Sequence, residues 1–252
     1  GDSYSSVGYQ PHQRPNEATP LGIEFPGDTL VEDKKPNWVG RVTTDFDHVI
    51  HVTEVPFGKV YDYAACGDNI NGLERQVKRY RQPGSPGHPH TEMYWEGNNS
   101  LFDIQAAIDI VFQLQEELYE TGARNFLFMT TASLPNASGG RRSRLQEREK
   151  RCRIWNETLT NRARNEFAEA HPDASIFIFD AWNIFEQMLT DPIKYGFSEK
   201  AGQGFDQEIY WDAIHPTTAV HRIIAKAVAD FLAGEIVAED QPERFITPSV
   251  DA

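Results

Sequence analysis

The sequence predicts a three-layer α/β/α sandwich built around a mostly parallel sheet. Short apolar runs such as Phe126–Met129 and Ile176–Phe179 lack the in-and-out alternation of a half-exposed strand, so they read as strands covered on both faces. Stretches with helical spacing lie between and after them, and strands separated by helices pair in parallel through right-handed crossovers. The 252 residues suit one domain, 1–252, large enough to bury a substantial core without disulfides.

Taken along the chain, the first forty residues are rich in Gly, Pro and polar residues. Turn signals at Gly22, Pro26-Gly27 and Pro36-Asn37 make them read as a long surface loop. A helix is predicted near Trp38–Phe46, a short buried strand at Tyr61–Cys66, a helix at Leu73–Tyr80 and a strand at Glu92–Trp95. Residues 101 to 121 place Leu101, Ile104, Ile108, Val111, Phe112 and Leu118 at helical spacing, with Gly122 positioned to end the helix. After the Phe126–Met129 strand comes a long polar helix from about Ser143 to Ala170, then the Ile176–Phe179 strand. The last helix, about Thr217 to Ala233, gathers Val220, Ile223, Ile224, Ala227, Val228 and Phe231 on one side.

The formal net charge of -14 disfavours nucleic acid and anionic lipid as partners, because both are polyanions. No run is long enough to span a bilayer, and no signal peptide is present in these residues. Three sequons, beginning at Asn98, Asn136 and Asn156, are compatible with passage through a secretory pathway, so a secreted protein is expected. The two cysteines, Cys66 and Cys152, are expected to be free thiols, since disulfide geometry is restrictive. A monomer is the default expectation, although nothing in the sequence fixes the oligomeric state.

In open α/β sheets ligands bind at the carboxyl ends of the strands. Three places stand out for chemistry. Gly1-Asp2-Ser3-Tyr4-Ser5 opens the chain, Gly97-Asn98-Asn99 follows the Glu92–Trp95 strand, and Asp212-Ala213-Ile214-His215-Pro216 precedes the last helix. A serine hydroxyl becomes a competent nucleophile when a neutral imidazole removes its proton during attack. That imidazole needs a carboxylate to fix its tautomer and stabilise the imidazolium. Asp212 and His215 lie three apart in one short turn, and only the fold can bring Ser3 to them. Acyl transfer also needs donors aimed at the developing oxyanion. Asn99 offers an amide, and Gly67 lets its backbone approach a ligand with no Cβ in the way.

Taken singly, each of these has a plainer explanation. Ser3 suits a turn, Asp212 a turn or cap, His215 a structural role, and Asn99 the cap of the next helix. The ordered set is what carries the triad.

Gly1-Asp2-Ser3, Gly67, Gly97-Asn98-Asn99 and Asp212-Ala213-Ile214-His215, in that order, resemble the four blocks of the GDSL/SGNH hydrolases. Tyr4-Ser5-Ser6-Val7-Gly8-Tyr9 and Pro36-Asn37-Trp38-Val39-Gly40 are similar to stretches of the fungal acetylesterases of carbohydrate esterase family sixteen. The resemblance implies the SGNH-type, flavodoxin-like version of the sandwich. It implies Ser3 as nucleophile, His215 as general base and then acid, and Asp212 as its orienting carboxylate. It also implies an oxyanion hole from the Ser3 N–H, the Gly67 N–H and the Asn99 amide. The reaction so implied passes through an acyl-enzyme and uses no metal or organic cofactor. This sequence departs from the pattern where Ser100 follows Gly-x-Asn in place of the usual Asp, and where Cys66 and Asp68 flank Gly67. The family's sheet also has a strand ahead of Gly-Asp-Ser.

Other features carry less. His88-Pro89-His90 with Glu92 resembles a loose metal site but lacks a clear ligand set, and His48 and His51 read as loop or strand-edge residues. The basic cluster Arg141, Arg142, Arg144, Arg148, Lys150, Arg151 and Arg153 is interleaved with Glu147 and Glu149, as on a solvated helix. Trp95, Tyr210 and Trp211 suit either sugar stacking or plain packing.

The function expected is hydrolysis of short acyl esters, acetyl above all, on acetylated sugars or xylo-oligosaccharides as substrate partners. The alternatives are a general short-chain esterase or lipase, and a carbohydrate-binding protein on an inactive hydrolase scaffold. An esterase of this kind loses activity on the acid side as the imidazole protonates.

Overall fold

The structure is a computed structural model and describes residues 1–46, 60–82, 92–94, 103–132, 142–202, 207–212 and 214–237. Three parallel strands, β1 (Glu92–Tyr94), β2 (Asn125–Met129) and β3 (Ser175–Phe179), lie in the order β1-β2-β3. Phe126 pairs with Glu92 on one side and with Ile176 on the other. The helices are α1 (Trp38–Thr44), α2 (Ile70–Tyr80), α3 (Ile104–Glu120), α4 (Arg142–Arg162), α5 (Ala181–Thr190) and α6 (Thr218–Val237). A π-helical stretch, Ala163–Phe167, and a last turn, Ala168–Ala170, extend α4 to the end expected from the sequence.

Because side chains alternate along a strand, β2 divides the core in two. Leu127 and Met129 join Phe179 against one layer, which holds Val39 and Val42 of α1, Phe185 and Met188 of α5, and Val220, Ile224 and Val228 of α6. Phe126 and Phe128 join Ile176 and Ile178 against the other layer, with Leu73 and Val77 of α2, Ile108 and Val111 of α3, and Trp155 and Leu159 of α4. The three-layer sandwich read from the continuous apolar runs is the architecture found.

Helix boundaries follow local chemistry. The side chains of Asn37, Asp103 and Asp180 accept from the backbone N–H groups of Gly40, Ala106 and Asn183, capping α1, α3 and α5. Gly122, at φ 107°, turns the chain out of α3. On α4, the pairs Glu147–Arg151, Glu149–Arg153 and Arg162–Glu166, each four residues apart, confirm the solvated helix face read from the interleaved charges. Cys66 is exposed and Cys152 buried, and both are free thiols. Among the described residues no helix is long and apolar enough to cross a membrane.

Two expectations need correction. The first forty residues are not a surface loop throughout: Tyr4, Val7, Tyr9 and Leu21 are buried in the same cluster as β2 and α6, while residues 10–14 and 22–28 are exposed or half-buried as expected. An irregular segment can be buried only if its peptide groups find partners, and here distant side chains supply them. Val7 donates its N–H to Asp62 Oδ2 (2.7 Å), and Asn37 Nδ2 donates to the carbonyls of Ser5 and Ser6 (2.9 Å each). Nor is Tyr61–Cys66 a strand. Asp62, the second residue of that run, takes the N–H of Ala64 (3.0 Å) on its other oxygen, while the Ala65 N–H goes to the Gly1 carbonyl (3.3 Å). Helix α5, which the sequence reading did not identify, follows directly on β3.

Candidate functional site

The opening block folds as a tight turn. Asp2 accepts the Tyr4 N–H on its side chain (3.0 Å) and the N–H groups of Ser5 and Ser6 on its carbonyl (3.1 and 3.0 Å). Burial pushes the Asp2 carboxyl above the usual carboxylate range. Below this turn, Asn37 joins the two carbonyls of Ser5 and Ser6 to the cap of α1, and the Trp38 indole donates to Ser5 Oγ (3.1 Å). Ser3, at the apex, is 7% exposed.

The turn before α6 is held by its own backbone. Tyr210 and Pro216 form an antiparallel bridge, Trp211 donates its N–H to the His215 carbonyl (3.1 Å), and Thr217 donates its N–H to the Ile209 carbonyl (2.9 Å). Inside this turn, Asp212 Oδ1 accepts the N–H groups of Ile214 (2.9 Å) and His215 (2.7 Å). That leaves Oδ2 facing His215 Nδ1 at 2.7 Å. His215 Nε2 lies 3.1 Å from Ser3 Oγ. Partial burial raises the Asp212 carboxyl, but the two amides and the imidazole outweigh it, so its net shift is below the usual range and it stays ionised.

The structure thus brings Ser3, His215 and Asp212 into one hydrogen-bonded line from opposite ends of the chain. The Trp211 ring stacks on His215 (centroids 6.1 Å apart, 26° between planes) and its indole donates to the Leu30 carbonyl (3.2 Å). Tyr210 is instead a packing aromatic, buried against Phe185.

Gly67 lies in a turn tied to the opening block through the Ala65–Gly1 bond and through Gln76, whose Nε2 donates to the Gly1 carbonyl and to Asp68 Oδ2 (2.8 Å each). A Cβ at Gly67 would meet nothing within 4 Å. The glycine is therefore required by its left-handed backbone (φ 73°) and not by lack of space. Gly97, Asn98, Asn99 and Ser100 lie outside the described residues, as do Trp95, His48, His51, His88 and His90. Of the three sequons only the one at Asn156 is described. Its side chain is committed to the protein, with Oδ1 accepting the Thr131 N–H (2.7 Å) and Nδ2 donating to the Thr131 carbonyl (3.2 Å).

The sequence reading missed several supporting residues. Asn37 and Asp62 join segments remote in sequence; Asn37 stands out only as part of a turn signal, and no local pattern marks Asp62. Tyr4 packs near His215 and His221: the buried His221 accepts the Trp38 N–H on Nδ1 (3.3 Å), and burial pushes its pKa down to about 3, which keeps it neutral.

No protein-family profile matches the chain. It is similar to a GDSL esterase/lipase of Arabidopsis thaliana, 28% identical over 163 residues that make up 53% of this chain and 45% of that protein. It is also similar to an acetylesterase of Thermothelomyces thermophilus, 23% identical over 274 residues, 93% of this chain and 87% of that protein. The chain thus spans about half the length of the plant relative and most of the fungal one. Among solved structures, an acetylxylan esterase from Geobacillus stearothermophilus matches with a TM-score of 0.57 at 13% identity, over 92% of this chain and 90% of that one. At that identity the likeness bears on the fold.

Proposed function

We propose that this chain, a GDSL/SGNH-type hydrolase in its relatives and its fold, is a serine carboxylic ester hydrolase that removes short acyl groups from acetylated sugars or xylo-oligosaccharides. The observation that carries the reading is the single imidazole placed between Ser3 Oγ at 3.1 Å and the Asp212 carboxylate at 2.7 Å.

In this reading Asp212 holds the Nδ1–H tautomer, which leaves the Nε2 lone pair toward the serine. His215 takes the hydroxyl proton as Ser3 Oγ bonds to the ester carbonyl carbon. The charge gathers on the carbonyl oxygen, where the N–H groups of Ser3 and Gly67 and the Asn99 amide are the proposed donors. His215 then returns the proton to the leaving alkoxide and an acyl-enzyme remains. Water, deprotonated by the same imidazole, attacks that acyl-enzyme, and the acid leaves as Ser3 recovers its proton.

The acetylated-sugar part of the proposal is supported by the relative described as an acetylesterase and by the fold shared with an acetylxylan esterase. Secretion belongs to the same proposal and is supported by the sequons at Asn98 and Asn136.

The test compares the protein with its Ser3→Ala variant on a small aryl acetate, then on acetylated xylo-oligosaccharides and on longer acyl chains. Loss of nearly all turnover in a folded variant, with acetyl preferred over octanoyl, is the expected result. Equal rates for the two proteins remove the triad. Sugar binding with no release of acetate marks a binding protein, and a preference for long chains a lipase.

A further inference from the structure

Tyr4 follows the proposed nucleophile directly, yet its phenol reaches across the site. Its hydroxyl donates to the carbonyl of Ile214, a residue 210 positions away. That carbonyl and the His215 N–H belong to one planar peptide group. The N–H end of the plane is held by Asp212 Oδ1 at 2.7 Å, and the carbonyl end by Tyr4. The plane from which the His215 side chain departs is therefore fixed at both ends, once by the acid of the triad and once by the neighbour of the serine.

Tyr4 is well placed to do this because it is itself immobilised. It is 3% exposed, and its N–H is held by Asp2 Oδ1 (3.0 Å). Its ring packs near two imidazoles, those of His215 (centroids 6.2 Å apart, 59°) and the buried His221 (6.3 Å, 87°). A leucine or phenylalanine here would fill the same core but leave the Ile214 carbonyl without this donor.

We propose that Tyr4 is a positioning residue whose hydroxyl sets the direction of His215 Nε2 toward Ser3 Oγ. The inference rests on the esterase reading above. It adds that the opening block supplies both the nucleophile and the strut that aims the base.

The consequence is greatest where His215 has most to do. An ester with a good leaving group, such as a nitrophenyl acetate, needs no proton delivered to its alkoxide, whereas an alkyl or sugar acetate does. A misaimed imidazole therefore costs more on the second kind of substrate. A smaller folded fraction would lower both rates by the same factor.

The test is Tyr4→Phe, which removes one oxygen and keeps the ring. Competent sites are counted by titration with an organophosphonate, and rates per competent site are measured on nitrophenyl acetate and on an alkyl or sugar acetate. The expected result is a fall in kcat/KM, which reports the acylation step, of about tenfold on the aryl ester, the scale of one well-made hydrogen bond, and a larger fall on the other. KM should stay within about threefold, because the lost interaction acts in the transition state.

Unchanged rates per competent site overturn the proposal. So does an equal loss on both substrates, or a titration that finds fewer than about a tenth of the sites competent, since either marks Tyr4 as packing alone. Failure of the esterase reading itself would show separately, as equal rates for the unaltered protein and Ser3→Ala.

Discussion

Replacing Asp212 by asparagine changes one oxygen into an NH2 group, and the surrounding bonds determine which way that group points. Asp212 Oδ1 receives two backbone N–H groups and Oδ2 receives His215 Nδ1. If the asparagine oxygen turned toward the imidazole, its NH2 would face the amides of Ile214 and His215. Each unmet bond there costs about 1–3 kcal/mol, so the oxygen stays with the amides and the NH2 faces Nδ1. The imidazole must then accept at Nδ1 and carry its proton on Nε2, pointing a donor at Ser3 where an acceptor is needed. For a base locked in that tautomer the loss in kcat is about ten-thousand-fold, equivalent to about 5.5 kcal/mol in the barrier. The assay is initial-rate hydrolysis of an aryl acetate by protein whose fold is verified by circular dichroism, with KM expected to change little. A variant that keeps more than about a tenth of wild-type kcat/KM would refute the assignment of Asp212 as the tautomer-setting group.

Asp62 carries a prediction about stability. Burial pushes its pKa from 3.8 up to about 6, despite the N–H bonds from Val7 and Ala64. The native state therefore holds this proton more tightly than the unfolded chain, and the stabilisation present at low pH is lost as pH rises from about 4 through about 6. That separation is worth about 3 kcal/mol. Urea unfolding of wild type and Asp62→Asn at pH 4 and pH 7 should show the wild type losing about that much relative to the variant, and a pH-independent difference would refute it. Asn37→Ala removes a helix cap, worth about 1 kcal/mol, and strands the carbonyls of Ser5 and Ser6. With about 1–3 kcal/mol for an unmet buried group, urea unfolding should show a total loss of about 3 kcal/mol or more. A loss below about 1 kcal/mol would mean that those carbonyls find other partners. The Ser3→Ala and Tyr4→Phe comparisons complete the set, the first testing the nucleophile and the second the aim of its base.

The layers of the fold were legible in the sequence because β2 and β3 are continuous apolar runs and α3 and α6 keep their period. The meeting of Ser3, His215 and Asp212 was legible because each half of it is a local motif, Gly-Asp-Ser at one end and Asp-x-x-His at the other. Most of what escaped is held by long-range polar bonds that no motif announces. The first forty residues have the composition of a surface loop, and the burial of their opening stretch depends on remote side chains such as Asn37 and Asp62, which reach into Ser5, Ser6 and Val7. Tyr61–Cys66 has strand-like residues, but the Asp62 side chain took the Ala64 N–H, one of those that a ladder would use. Helix α5 was within reach: Asp180 is a cap residue, and Ala181, Trp182, Phe185 and Met188 fall at helical spacing. Tyr4 was visible as a residue, but its bond to Ile214 exists only in the folded chain.

Ser3 and His215 stand 212 positions apart, which has a consequence during biosynthesis. A ribosome that has not yet reached His215 has made the serine but not the base proposed for it, so on the esterase reading the unfinished product holds an inert hydroxyl. Contacts of such long sequence separation also form late, because the entropy of closing the intervening loop must be overcome first. If the proposed function holds, catalytic competence would therefore wait until this long-range contact has formed. Turnover of a chromogenic ester would then report completed folding directly, in a cell-free translation reaction and without any label.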